Sequence, residues 1–109
     1  MKQYDIFWAN LAAPIGLRPV LLLTRTPAYA YLNKVLVAEV TSTIRHIPQE
    51  IPVGKHEGLA SDSVVNLDNV HVIAKKSLED RLGHIDSTRI REVKRALGYV
   101  LDWPELKTL

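Results

Sequence analysis

The sequence predicts a mainly β domain with one C-terminal helix, built as a small, partly open barrel or strongly bent sheet. Three observations carry this reading. Short runs of β-branched and aromatic residues, bounded by Pro, Gly and Asn, recur from residue 4 to residue 74. The longer runs are apolar on both faces, which a small sheet tolerates only if it closes on itself or meets a second subunit. A single stretch with helical periodicity stands near the C-terminal end.

YDIFWAN (residues 4–10) is the first expected strand, stopped by LAAPIG, whose Pro14 and Gly16 mark a turn. RPVLLLTRT follows as the second strand, closed by Pro27. Pro19 cannot donate to a ladder, so it belongs at the first position or the edge of that strand. Arg18, directly before the proline, is pushed into extended backbone. A permanently charged guanidinium is thereby held at the rim of an apolar element. AYAYLN (28–33) is too short for a stable helix and reads as a helical turn or crossing loop. KVLVAEVTSTI (34–44) is the longest strand, and QEIPV (49–53), interrupted by Pro52, is a short edge strand. GKHEGLASD (54–62) is a polar, glycine-containing loop. SVVNLDNVHVIA (63–74) shows two short strand-like runs around Asn66–Asn69, and SLEDR (77–81) a single helical turn.

IDSTRIREVKRALGYVLDW (85–103) is the helix. Ile90, Val93, Leu97, Val100 and Leu101 fall on one face, with Asp86 as N-cap and Ile85 and Ile90 as a hydrophobic staple. Gly98 costs a helix about 1 kcal/mol against Ala, which points to close packing at that position. Pro104 ends the helix. Arg89, Arg91, Lys94 and Arg95 lie mainly on its outer, solvated face.

The 109 residues are 47% hydrophobic and 24% charged, so one globular domain over residues 1–109 is expected. There is no cysteine, which excludes disulfides, thiolate metal sites and cysteine nucleophiles. No apolar run approaches a membrane span and the start lacks a signal-peptide layout, so a cytoplasmic protein is expected. The net charge of +2 permits a polyanionic partner without demanding one.

Phosphate-binding loops, dinucleotide fingerprints, zinc-protease motifs and nucleophile elbows are all missing from the sequence. His46, His56, His71 and His84 are scattered, with no pair at metal-ligand spacing, so no metal or other cofactor is expected. What remains is a set of polar residues at the ends of apolar strands. Arg18 starts the second strand, Thr41, Ser42, Thr43 and Arg45 follow the third, and Asn66, Asp68 and Asn69 interrupt the fifth. If strands two and three are antiparallel neighbours, Arg18 lies near Thr41 and Ser42. An arginine among short hydroxyls makes an oxyanion site of the kind that recognises phosphate. His56, beside Glu57 in the polar loop, is a further candidate for touching a substrate. Thr is also common in strands for propensity reasons, and LDN is an ordinary turn signal.

YDIFWANL, GLRPVLLLTR, VAEVTSTIRHIPQEIPVGKHEGLASDSVVNLDNV and IREVKRAL, in this order, resemble the MazF/PemK family of toxin endoribonucleases over nearly the whole chain. The most diagnostic pieces are RPV after a glycine, T-S-x-I-R after an aliphatic strand, and DSVVNLDNV where the family usually shows DSVVLLDQI. The resemblance implies a small SH3-like barrel of the CcdB/Kid/MazF type with a C-terminal helix, acting as a homodimer. It implies metal-independent cleavage of single-stranded RNA by attack of the substrate's own 2′-hydroxyl, leaving 2′,3′-cyclic phosphate and 5′-hydroxyl ends. It also implies neutralisation by an antitoxin whose acidic C-terminal segment occupies the RNA groove.

On this resemblance the essential arginine and threonine fall on Arg18 and Thr41, and a candidate base on Asp68. Ser42, Thr43, Arg45, Asn69 and His56 become RNA-contacting candidates. The chain departs from the family at NLAAPIG, which is short and uncharged, and at DNVHVIA, where Asn69, His71 and Ala74 replace glutamine, arginine and aspartate. An arginine used near the scissile phosphate in one branch corresponds to Asn66. His71, between Val70 and Val72, reads as part of a regular strand rather than as a proton shuttle. The departures leave a second reading open, a non-nuclease toxin or binding module of the same fold acting on a protein target.

Overall fold

Six strands precede the helix: β1 (Asp5–Leu11), β2 (Gly16–Leu22), β3 (Lys34–Thr41), β4 (Glu50–Val53), β5 (Ser63–Ala74) and β6 (Leu78–His84). The computed structural model describes residues 1–109. The strands form one antiparallel sheet in the order β4-β5-β3-β2-β1-β6. A 3-10 turn at Ser87–Arg89 leads into α1 (Ile90–Val100), and α2 (Pro104–Lys107) follows. No helix is long and apolar enough to cross a membrane.

Strand alternation explains why both faces of the sheet are apolar. On one face Ile6, Leu21, Ala38, Val40, Val65 and Leu67 pack beneath α1, which inserts Val93 and Ala96. On the other, Phe7, Ala9, Val20, Leu22, Val35 and Val37 gather around Tyr29, delivered by the 3-10 turn Thr26–Ala30. The sheet curls into a half-barrel rather than closing through hydrogen bonds, since β4 and β6 remain its two ends. The segment after β4 bridges that gap. A Cβ on Gly58 would stand 2.0 Å from the Leu82 carbonyl oxygen, and one on Gly83 would stand 2.1 Å from the Glu57 carbonyl oxygen. Only bare backbone fits this crossing.

Pro19 lies inside β2, opposite Trp8 of β1, and not at a sheet edge. The amide of Leu23 donates to the Leu36 carbonyl at 2.9 Å, so odd-numbered amides of β2 point toward β3. Pro19 would need a donor there and has none. The β2–β3 ladder accordingly stops at Val20↔Glu39, and the start of β2 is free of the end of β3.

Three further expectations are corrected. SVVNLDNVHVIA is one twelve-residue strand, not two. Its pairing with β3 jumps from Ala38↔Val70 to Glu39↔Asn66, so Leu67, Asp68 and Asn69 form a bulge where an interruption was expected. SLEDR is not helical: after a 3-10 turn at Lys75–Ser77, residues from Leu78 pair with β1. Non-local pairing and burial of Leu78 outweigh the local preference of its charged residues, which face solvent on an edge strand. Leu101 is 58% exposed because α1 ends at Val100, one residue before its predicted face is complete. Gly98 behaves as expected, since a Cβ there would meet the Lys107 amide nitrogen at 2.6 Å.

Arg89 is also not a simple surface residue. Its guanidinium bonds Glu92 at 2.8 Å, the Pro52 carbonyl at 2.7 Å and the buried Glu57 at 3.4 Å, tying the helix start to β4 and the loop after it. Hydrogen bonds from Arg89 hold the Glu92 carboxyl below its usual range, and the Thr88 amide does the same for Asp86, which caps the 3-10 turn ahead of α1 rather than α1 itself. Both pKa values are lower folded than unfolded, so the stability they confer is complete above the ordinary carboxylate range. It is lost as pH falls through the lowered values. Melting temperature is therefore expected to drop on acidification below the ordinary carboxylate range. Glu92→Gln is expected to make that drop shallower, as thermal melts at neutral and acidic pH will show.

Candidate active site

The polar site continues the layer of the second core. Reading on from Val35 and Val37 along the same face of β3 gives Glu39 and then Thr41, and reading back from Leu22 and Val20 along β2 gives Arg18. Extending the Val20↔Glu39 register by two residues sets Arg18 across from Thr41, in the gap that Pro19 opens. A pocket of about 260 Å³ lies there, lined by Arg18, Thr41, Thr43, Arg45, Asn66 and Asn69.

This lining holds two guanidiniums, two hydroxyls and two amides, with no carboxylate and no apolar side chain. Such a set presents donors on several sides and a net positive charge, which is the chemistry of an anion site. Each member is positioned by local structure. Thr41 accepts from the Thr43 amide at 3.1 Å, and Asn66 accepts from the Asp68 amide at 2.9 Å, so the Asn66 side-chain NH₂ remains available as a donor. Glu50 accepts from the amides of Arg45 and His46 at 2.9 and 3.0 Å, fixing the turn that carries Thr43 and Arg45 over the gap.

Of the sequence-predicted residues, Arg18, Thr41, Thr43, Arg45 and Asn69 are brought together. Ser42, exposed between two lining threonines, is not among them, as strand-like alternation dictates. Asp68 is exposed in the bulge and outside the lining, to which Asn66 and Asn69 contribute instead. His56 lies in a separate cavity of about 540 Å³ with His46, Asp62 and Arg89, because the turn Lys55–Glu57 folds back against the helix start.

Sequence reasoning missed Glu39. Only 6% exposed, it accepts from Arg18 Nη1 at 3.2 Å through Oε1 and contacts His71 Nε2 at 2.5 Å through Oε2. A lone carboxylate inside the aliphatic run VLVAEVT was the available signal, since such a group is buried only with partners. Arg18 is thus gripped by one nitrogen, and its Nε/Nη2 edge makes no hydrogen bond within the chain.

Residues 2–101 match the family model described as PemK-like, MazF-like toxin of type II toxin–antitoxin system. Endoribonuclease MazF3 of Mycobacterium tuberculosis is 36% identical over 88 residues, spanning 79% of this chain and 85% of that protein. The solved structure of Mycobacterium tuberculosis toxin MazF-mt6 superposes with a TM-score of 0.85 at 34% identity, covering 90% of this chain and 96% of that one. A mycobacterial endoribonuclease in complex with its cognate antitoxin shares the fold, with a TM-score of 0.81 at 23% identity over 95% of this chain and 97% of that one. The half-barrel, the pocket at the Pro19 gap and these matches along nearly the whole chain agree: the protein belongs to the PemK-like, MazF-like toxin family of type II toxin–antitoxin systems.

Proposed function

We propose that this chain is an endoribonuclease toxin of the cytoplasm that cleaves single-stranded RNA by attack of the substrate's own 2′-hydroxyl. The products would be 2′,3′-cyclic phosphate and 5′-hydroxyl ends. The observation that carries the reading is the lining of the Arg18 pocket, two guanidiniums among hydroxyls and amides, with the nearby Glu39 carboxylate buried behind Arg18 and outside the lining. The names of its relatives support it, since MazF3 is an endoribonuclease.

In this reading the free edge of the Arg18 guanidinium spans two phosphate oxygens and stabilises the charge that develops on the pentavalent phosphorus. Thr41 bonds a non-bridging oxygen or orients the 2′-hydroxyl. Thr43, Arg45 and Asn69 hold the neighbouring nucleotides, with Asn66 completing the wall and Ser42 available at its outer lip. Because the nucleophile comes from the substrate, the enzyme needs no covalent nucleophile, and no metal is required to make one. Asp68 and His56 contact RNA only where the strand extends beyond the pocket. The protein acts as a homodimer, and an antitoxin with an acidic C-terminal segment neutralises it by placing carboxylates where phosphates would bind.

The test is direct. Purified protein incubated in EDTA with unstructured and duplex RNA should cut only the former, and end-group analysis should find cyclic phosphates and 5′-hydroxyls. Fragments carrying 5′-phosphates, or intact RNA, would refute the proposal.

A further inference from the structure

We infer that His71 is the group that takes the proton from the 2′-hydroxyl, and that Glu39 is the positioning residue that fixes its tautomer; the inference rests on the endoribonuclease reading. Arg18, Glu39 and His71 stand on the adjacent strands β2, β3 and β5 and point to one face of the sheet. An ionised carboxylate only accepts hydrogen bonds, so both of its neighbours must donate. Arg18 does so through Nη1, and His71 must do so through Nε2–H. In the tautomer that this bond selects, the lone pair is on Nδ1.

One third of the His71 side chain is exposed, whereas Glu39 is buried, so the carboxylate holds the inner side of the ring and the open side is free to meet a substrate. The same buried carboxylate stabilises the imidazolium that forms when Nδ1 gains a proton, the arrangement by which a histidine becomes an effective base. The guanidinium of Arg18 is the other group on that carboxylate, so a phosphate bound by Arg18 lies next to the ring.

Glu39 is buried with each oxygen held by a neighbour, and nothing else in the site can do this work. Arg18 and Arg45 do not release a proton in a protein, and the asparagines do not titrate. The Thr41 hydroxyl is a far weaker base than imidazole. His71 stands beside the pocket lining and is joined to Arg18 through Glu39, whereas Asp68 bonds neither of them; His46 and His56 line the other cavity, and His84 contacts Arg81 near the start of β1. The step balances. The 2′-O–H proton passes to Nδ1, the 2′-oxygen bonds to phosphorus, and the bond from phosphorus to the 5′-oxygen breaks. The departing oxygen takes a proton from water, and the imidazolium returns its proton to the hydroxide left behind.

The experiment uses the full chain with a single-stranded RNA and with the same oligonucleotide made non-cleavable by 2′-deoxy substitution. His71→Ala and His71→Gln are expected to lower kcat by about 10²–10⁴-fold while binding the deoxy analogue as tightly as the wild type. Added imidazole is expected to restore part of the His71→Ala rate. Glu39→Gln should lower kcat with KM unchanged. Retention of the wild-type rate by either His71 variant overturns the inference. So does a lost rate that imidazole fails to restore, or an equal loss of affinity for the deoxy analogue. If the wild-type protein itself leaves RNA intact, the endoribonuclease reading falls first. If it cuts and the His71 variants cut equally well, only the inference falls.

Discussion

Arg18→Ala is expected to slow RNA cleavage by about 10²–10³-fold, the usual loss when a donor aimed at transition-state charge is removed. The fold should survive. Arg18 is the partly exposed member of its pair, and Glu39 keeps its bond to His71, so the variant strands no buried carboxylate without a partner. Stability should fall by no more than the loss of one charge-assisted hydrogen bond implies, about 1.5–3 kcal/mol. Arg18→Lys restores the charge but not the fork, because an ammonium cannot hold Glu39 and present two further in-plane donors to a phosphate. It should recover only part of the rate. Initial rates on a fluorogenic single-stranded RNA, taken beside thermal melts, separate these effects. A fully active Arg18→Ala protein would remove Arg18 from the mechanism.

Gly58→Ala is expected to have the largest effect on stability of any single-methyl change in the chain. Gly58 has φ +94°, a backbone state that L side chains rarely adopt, and the added methyl would stand 2.0 Å from the Leu82 carbonyl oxygen. The neighbour is backbone of β6, so it cannot swing aside as a side chain would. Left-handed strain of about 1–2 kcal/mol and an overpacking cost of about 1–3 kcal/mol together make a loss of about 2–5 kcal/mol. In a domain of this size that is a fall of roughly 10–25 °C in melting temperature, or failure to fold where the starting stability is low. An unchanged melting curve would show that the crossing between this loop and β6 is not closely packed in solution.

Much of the fold was legible in local sequence because the responsible interactions are local. Aromatic and β-branched runs marked β1 to β4, the Asp86 cap and helical spacing marked α1, and Gly98 announced the close approach of α2. The two misread strands share one cause, which is pairing between distant residues. Nothing within SLEDR reveals that β1 waits for it, and the bulge at Leu67–Asn69 reads as an interruption until β3 is laid beside it. In the site, Arg18, Thr41, Thr43 and Arg45 follow from the ends of strands and Asn69 from the interruption of the fifth, whereas Asp68, from that same interruption and the family resemblance, and His56, from the polar loop, lie outside the lining. Side-chain direction, which the bulge and the turn after β4 decide, put those two elsewhere. The Arg18–Glu39–His71 chain needs three strands in register and is written in no single segment.

Pro19 works through what it withholds. Any other residue at that place would offer an amide to β3, and the two ribbons would be free to zip onward past Arg18. By keeping one rung off the ladder, the ring leaves a cleft in an otherwise continuous sheet, lined by a charge and a hydroxyl from facing strands. The enzyme need not open to receive its substrate there; the doorway is a bond the chain is unable to make.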